Sequence, residues 1–321
     1  MSNRAEPAGG NRLTVLLELE RNLRELRRLQ QRGGSDLREK IADLERRKEE
    51  ITPGVFEELS AWDCVALARH EERPYTLDYV NRIFDDFTEL HGDRHHRDDP
   101  AIVAGLAVLD GRPVAVAGHQ KGRTARERTQ RNFGMAHPEG YRKALRVMRL
   151  AAKLGHPIIT FLDTPGAACL EEAEARGISE AIAVNQREMS RLPVPIVVVV
   201  IGEGGSGGAI GLGVGDHIAM LQYAYYSVIT PEACAAILWR DGERKAEMAA
   251  ALKLTAPSAL ELGIVDEMIP EPMGGAHRSY GEMAQRVKGS IERALEQLDQ
   301  LTGEELVERR YEKFMRMGRM E

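Results

Sequence analysis

The sequence predicts an α/β domain: a parallel sheet with helices on both faces. Three observations carry this reading. Strand-like apolar runs alternate with helix-length segments through most of the chain, the order from which such sheets are built. The runs "PIITFLD" and "PIVVVVIG" lack polar alternation, as strands covered on both sides require. Two loops, "DTPGA" after Asp163 and "GEGGSGGA" after Ile201, leave equivalent strand ends, where ligands collect in such folds.

Each element has its own signal. Residues 13–51 read as a helical hairpin, with Leu16, Leu19, Leu23, Leu26 and Leu29 at helical spacing. "RGGSD" breaks that run, Ser35 or Asp36 offers an N-cap, and Leu37, Ile41 and Leu44 resume the pattern. This gives an N-terminal arm over residues 1–55, a packing or oligomer contact, and a main domain over 56–321. A helix is expected through "YTLDYVNRIFDDFTEL". "AIVAGLAVL" and "RPVAVAGHQ" are strands flanking an Asp110-Gly111 turn. "PEGYRKALRVMRLAAKLG" is an amphipathic helix stopped at Gly155. One long helix is expected from about Glu172 to Leu192. After the glycine loop come a short helix, strands at "HIAMLQ" and "YSVIT", helices from Pro231 to Leu262, a last strand in "GIVDEMI", and a helical C-terminus from about Gly281.

Composition narrows the function. A net charge of −6 with both signs interspersed argues against a general nucleic-acid binder. Three scattered cysteines, Cys64, Cys169 and Cys234, make neither a disulfide framework nor a paired zinc site, and suit a reducing cytoplasm. The first residues lack a signal-peptide core, and no apolar run is long enough to span a membrane. "DRHHRDD" reads as a solvated polar loop, with no metal expected. The basic stretch "HQKGRTARERTQR" reads as a solvated helix face or a docking surface for an acidic partner.

The glycine loop fits two patterns at once. Gly202 to Gly207 is a literal G-x-G-x-x-G, but no carboxylate stands about 20 positions on to hold a ribose. Nor does a Lys-Ser/Thr pair follow, as a phosphate loop needs. Gly204 to Gly208 is also a literal G-x-S-x-G, with Ser206 as nucleophile and Asp266 and His277 downstream in hydrolase order. A third reading uses the backbone itself. Glycines ahead of a helix start present consecutive N–H groups to a developing oxyanion. A tight packing turn remains a fourth.

Long motifs then narrow the choice. "RPYTLDYV", "LDGRPVAVAGHQKGR", "RNFGMAHPEGYRKALR", "PIITFLDTPGA", "EMSRLPVPI", "VIGEGGSGGAIGLGVGD", "MLQYAYYSVITPEACAAILW" and "MIPEPMGGAH" together resemble the α subunit of bacterial acetyl-CoA carboxylase carboxyltransferase, from about residue 55 to the end. The resemblance implies a crotonase-like (ClpP/crotonase) β-β-α spiral with an N-terminal helical hairpin, in an α2β2 assembly whose β subunit bears a zinc ribbon. It implies carboxyl transfer from carboxybiotin, held on a biotin carboxyl carrier protein charged by biotin carboxylase, to acetyl-CoA, giving malonyl-CoA. No covalent cofactor is then expected on this chain. By the same resemblance Gly204, Gly205, Gly207 and Gly208 form one oxyanion hole. Thr164, Pro165, Gly166 and Ala167 form a second pocket wall, and His119 and Lys121 are further substrate-binding candidates.

One segment departs from that pattern. The family usually continues "TPGA" with Tyr-Pro-Gly; here Ala168, Cys169 and Leu170 follow, then two glutamates. An aromatic, a fixed proline φ and a glycine are absent, while the glycine loop stays on pattern. The expectation is a remodelled specificity loop over 168–172 that excludes an inhibitor. A different acyl-CoA, a Ser206 hydrolase and a non-catalytic scaffold are the alternatives.

Overall fold

A computed structural model describes residues 10–31 and 36–318. The arm is a hairpin of α1 (Gly10–Gln31) and α2 (Arg38–Phe56). Leu13, Leu16, Leu19 and Leu23 are buried, but Leu29 is exposed, so the stripe loses its cover toward the end of α1. Leu37 stands at the α2 N-cap position without a side-chain bond; Asp36 instead accepts from the Arg38 N–H at 3.1 Å, and Ser35 lies outside the described residues. Leu13, Leu16 and Val55 share a cluster with Cys64, Leu67 and Tyr223, which seats the arm on the main body.

A helix the sequence reading missed follows: α3 (Ala61–Ala68), whose Ser60 and Asp63 form a reciprocal capping box. Next, α4 (Thr76–Ile83) stops at Phe84, which is extended (φ −116°, ψ 149°). The expected helix through Leu90 is therefore wrong in its second half, which is strand β1 (Asp85–Glu89). Antiparallel pairing with the next strand decides it. That strand, β2 (Ile102–Leu109), pairs antiparallel with β3 (Arg112–His119). Asp110 (φ 46°) and Gly111 (φ 81°) turn between them as anticipated.

The chain continues through α5 (Ala125–Gln130), α6 (Pro138–Leu154) and β4 (Ile158–Thr164). The single helix expected to Leu192 is two, α7 (Glu171–Ala175) and α8 (Ile178–Met189), broken at Gly177 with φ 80°. Strand β5 (Ile196–Gly205) outruns its apolar stretch and takes in the first half of the glycine run. Then come α9 (Ser206–Ile210), β6 (His217–Leu221), β7 (Tyr225–Ser227), α10 (Pro231–Trp239), α11 (Lys245–Ala251), α12 (Ala256–Glu261), β8 (Glu267–Ile269), α13 (Tyr280–Leu298) and α14 (Gly303–Arg316).

The sheet runs β1-β2-β3-β4-β5-β6-β8, with β7 added on the end of β5. It is mixed rather than wholly parallel: β1 to β3 meander antiparallel, and every pairing from β3–β4 onward is parallel. The core lies around β4 and β5, whose residues are buried without exception. One buried arginine fastens the last helix to it. Arg310 on α14 donates to the carbonyls of Met189, Leu192 and Val194 and forks onto Asp216 at 2.9 and 2.7 Å.

Candidate active site

The parallel register of β4 on β5 sets Thr164 opposite Gly204, so the two predicted loops meet. Thr164 Oγ1 donates to the Gly166 carbonyl at 2.6 Å and accepts its N–H at 3.2 Å, which fixes the Thr-Pro-Gly turn. Gly208 then packs backbone on backbone against that turn. A Cβ there would stand 2.5 Å from the Gly166 carbonyl carbon and 2.8 Å from the Ala167 nitrogen. A Cβ on Gly205 would strike the Pro165 carbonyl, and one on Gly204 would meet the Tyr226 ring at 2.5 Å. Gly207 differs: its nearest neighbour would be Ile182 Cδ1 at an ordinary 3.5 Å.

Both remaining readings of the glycine run therefore hold in part. Three glycines are packing necessities, and the packing leaves a surface of bare backbone. Gly204 and Gly205 lie in β5 and pair with Tyr226 and Ser227 of β7. The first-turn N–H groups of a helix, here those of Gly207 and Gly208 in α9, have no carbonyl four residues back to serve them.

Ser206 takes a left-handed backbone (φ 51°) between strand and helix, as an elbow nucleophile would. The partners anticipated for it are engaged elsewhere. Asp266 accepts from the Ile218 N–H at 2.7 Å and from Lys313. His277 stacks on His70 at 3.9 Å and faces Glu20. The hydrolase triad is not assembled.

His119 and Lys121 both lie at the end of β3, with different roles than expected. His119 is wholly buried, with neither ring nitrogen in hydrogen-bond geometry. Burial holds its pKa down at about 3, despite nearby Phe161 and Gly208 backbone. It is a neutral core histidine under α9. The Lys121 ammonium is already taken, by Asp163 Oδ1 and Glu203 Oε1, each at 2.7 Å. Burial opposes its charge, but those two carboxylates outweigh it and hold the pKa above the ordinary lysine value. Lys121 joins strands rather than reaching for a ligand.

The network continues beyond anything read from the sequence. Asp163 Oδ1 also accepts the Glu203 N–H at 3.0 Å. Glu203 Oε2 accepts from Arg69 Nε at 2.8 Å and from the Tyr225 hydroxyl at 2.7 Å, and Arg69 reaches Glu232 at 2.5 Å. Burial would raise Glu203, yet Lys121 and Arg69 hold it at about 2. A carboxylate ending an apolar strand run, as Asp163 and Glu203 both do, was the available signal. Over this network opens a cleft of about 190 Å³, lined by Arg69, His70, Tyr75, Lys121, Phe133 and Pro165 among others.

The remaining segments are structural. Ala168 is buried, its N–H on the Ala136 carbonyl at 3.0 Å, so only Cys169 and Leu170 of the expected specificity loop are exposed. Of the basic stretch, Arg123 stacks on Tyr75 at 3.9 Å and pairs with Asp78, while Arg126 is exposed. In "DRHHRDD", Asp93 accepts the N–H groups of His95, His96 and Arg97, and Asp98 pairs with Lys143. Elsewhere, Glu20, His70 and His277 bring three potential ligand atoms together. There Arg278 occupies Glu20 at 2.5 Å and His70 Nδ1 accepts the Glu72 N–H at 3.2 Å, so cationic and donor groups already serve the cluster. Among the described residues no helix is long and apolar enough to cross a membrane.

Comparison with known proteins agrees with this geometry. The family model described as acetyl co-enzyme A carboxylase carboxyltransferase-like matches residues 13–318. The acetyl-coenzyme A carboxylase carboxyl transferase subunit alpha of Vibrio parahaemolyticus is 52% identical over 306 residues, 94% of this chain and 96% of that protein. The Geobacter metallireducens subunit is 52% identical over 304 residues, 95% of each. Among solved structures, the transcarboxylase 12S core aligns over 70% of this chain and 41% of its own at TM-score 0.57 and 19% identity. A Pseudomonas malonate decarboxylase hetero-tetramer in complex with coenzyme A aligns over 67% and 86% at TM-score 0.55 and 19% identity. These two show the fold, the crotonase-like spiral.

Proposed function

The chain belongs to the family of acetyl-CoA carboxylase carboxyltransferase α subunits, a transferase, and from that premise we propose that it supplies one half of a shared site for carboxyl transfer from carboxybiotin to acetyl-CoA. The other half comes from a β subunit in an α2β2 assembly. Biotin arrives on its carrier protein after loading by biotin carboxylase, and supplies the carboxyl group and then a basic urea nitrogen.

This chain's part is electrostatic. Removing a methyl proton from the thioester places charge on its oxygen, and losing the carboxyl group places charge on the urea oxygen. Each needs preorganised donors and no nucleophile. The N–H groups of Gly207 and Gly208 answer one of them. Thr164, Pro165, Gly166 and Ala167 wall the pocket, and Gly204 and Gly205 let the wall approach. His119 and Lys121 hold the floor: one fills it without charge, the other ties β4 to β5. The observation that carries the reading is the bare backbone where α9 meets the Thr-Pro-Gly turn, beside a serine without a base.

A remodelled wall at 168–172 belongs to the same reading. Cys169 and Leu170 emerge directly after the residues that contact Gly208, so they alter what rests against the wall and leave the donors in place.

The test is to purify the chain with its β subunit and assay malonyl-CoA formation from carboxybiotin. The pair should be active and the isolated chain inactive. Substantial transfer by the isolated chain would overturn the shared site.

A further inference from the structure

We infer that the bare face of α10 is the surface on which the β subunit docks; this rests on the shared-site reading above. The sequence of α10, "PEACAAILW", is apolar all round except for Glu232. A helix of that kind is ordinarily covered on every side. Here one side is covered: Cys234 and Ala235 are buried with Met248, and Ile229 and Trp239 pack against them. The other side lies in water. Ala233 and Ala236 are exposed, Ile237 is 69% exposed and Leu238 66%. Val228, on the approach to the helix, is 77% exposed. Isolated exposed aliphatics are common, but large ones gathered on a single short segment mark an association surface.

Charge defines the partner. Glu232 is neutralised by Arg69 at 2.5 Å, so the face offers nothing ionic between Val228 and Trp239. It selects an apolar surface, not nucleic acid or an acidic carrier.

Position identifies which one. The segment leading into α10 is the site's own edge. Tyr226 and Ser227 pair with Gly204 and Gly205, and the Tyr226 ring lies where a Gly204 Cβ would be. Glu232 is linked through Arg69 to Glu203. A chain seated on α10 therefore borders the glycine backbone, the place from which the second set of oxyanion donors must come. A second copy of this chain would bring the same half-site again; the β subunit brings the missing one.

The experiment titrates the full-length chain with its purified β subunit, following association by calorimetry and species by sedimentation. The variants are Ile237→Asp and, because it adds bulk rather than removing contact, Ala236→Arg. The control is Leu154→Asp, exposed at the end of α6, near the start of β4 and so at the opposite end of that strand from Thr164. Both α10 variants should bind at least a hundredfold more weakly, with unchanged circular dichroism and melting, and the control should bind within threefold of the parent. If the parent binds β and the α10 variants match it, the docking surface is wrong and the shared site stands. If the parent neither binds β nor transfers carboxyl with it, the shared-site reading fails and takes this inference with it. If the chain alone is a dimer that the α10 variants dissociate while β binding is kept, a second copy covers α10 and the inference is overturned.

Discussion

Replacing Gly208 with alanine tests the backbone site most directly. The new Cβ would lie 2.5 Å from the Gly166 carbonyl carbon, where an unstrained contact needs about 3.4 Å. Both partners are backbone, so no rotamer change relieves the clash. Either α9 or the Thr-Pro-Gly turn must retreat by roughly 0.9 Å. Overpacking of this size costs about 1–3 kcal/mol of stability. Its effect on turnover is larger, because a displacement of about 1 Å takes a donor out of line with the oxyanion, worth about 10²–10³ in rate. Gly207→Ala is the matched control: its Cβ meets only Ile182 Cδ1 at 3.5 Å, and alanine keeps the N–H. With the α–β complex at saturating acetyl-CoA, Gly208→Ala should lower kcat at least a hundredfold with little change in KM. Gly207→Ala should stay within threefold. A Gly208→Ala complex turning over within threefold of the parent would refute the oxyanion assignment.

Four further outcomes follow from the same geometry. Lys121→Met strands two buried carboxylates and should cost about 3–5 kcal/mol in denaturant unfolding, whereas Lys121→Arg should recover part of it; equal stability of all three would remove the network from the fold's support. Ser206→Ala should retain most of the carboxyl-transfer rate in a steady-state assay, since no base serves that hydroxyl; near-complete loss would restore a nucleophilic role. His119, neutral when folded with a pKa near 3, binds no proton until well below the 6.5 of the unfolded chain. Its contribution is thus present above pH 6.5 and lost as pH falls toward 3, at about 1.4 kcal/mol per pH unit, and His119→Leu should flatten the acid limb of stability against pH by that slope. Restoring Tyr-Pro-Gly at Ala168, Cys169 and Leu170 should leave acetyl-CoA turnover within roughly tenfold, about 1.4 kcal/mol of barrier. It should also increase sensitivity to an active-site inhibitor, and superimposable inhibition curves would dismiss the resistant-wall idea.

What the sequence made legible was whatever depends on local periodicity and on long motifs. The β2–β3 hairpin with its Asp110-Gly111 turn, the stop at Gly155 and the buried strands β4 and β5 all read correctly. The segment after Ile83 did not, because "DDFTE" becomes a strand only when β2 is there to pair with it. The break at Gly177 was hidden inside a good helical pattern, and α3 hid behind a capping box that went unread. In the site, the meeting of Thr164 with the glycines was anticipated, since both end neighbouring strands. The Lys121–Asp163–Glu203–Arg69 network was not. Its members stand as far apart in sequence as residues 69 and 203, and only the sheet's register joins them. Lys121 was picked out for its place at a strand end, a position that ligand-binding and strand-tying lysines share.

Arg310 gives the molecule an order of completion. The carbonyls of Met189, Leu192 and Val194 and the carboxylate of Asp216 lie beside the central strands, more than ninety positions before the guanidinium that satisfies them. While the chain is being synthesised, the α8–β5 connection and the approach to β6 are already in existence with their acceptors undonated. They can be dehydrated at little cost only once α14 has emerged and folded back. The sheet's assembly is thus held open until late, and a polypeptide interrupted before residue 310 carries a built-in mark of incompleteness: acceptors that water, or a chaperone, must keep serving.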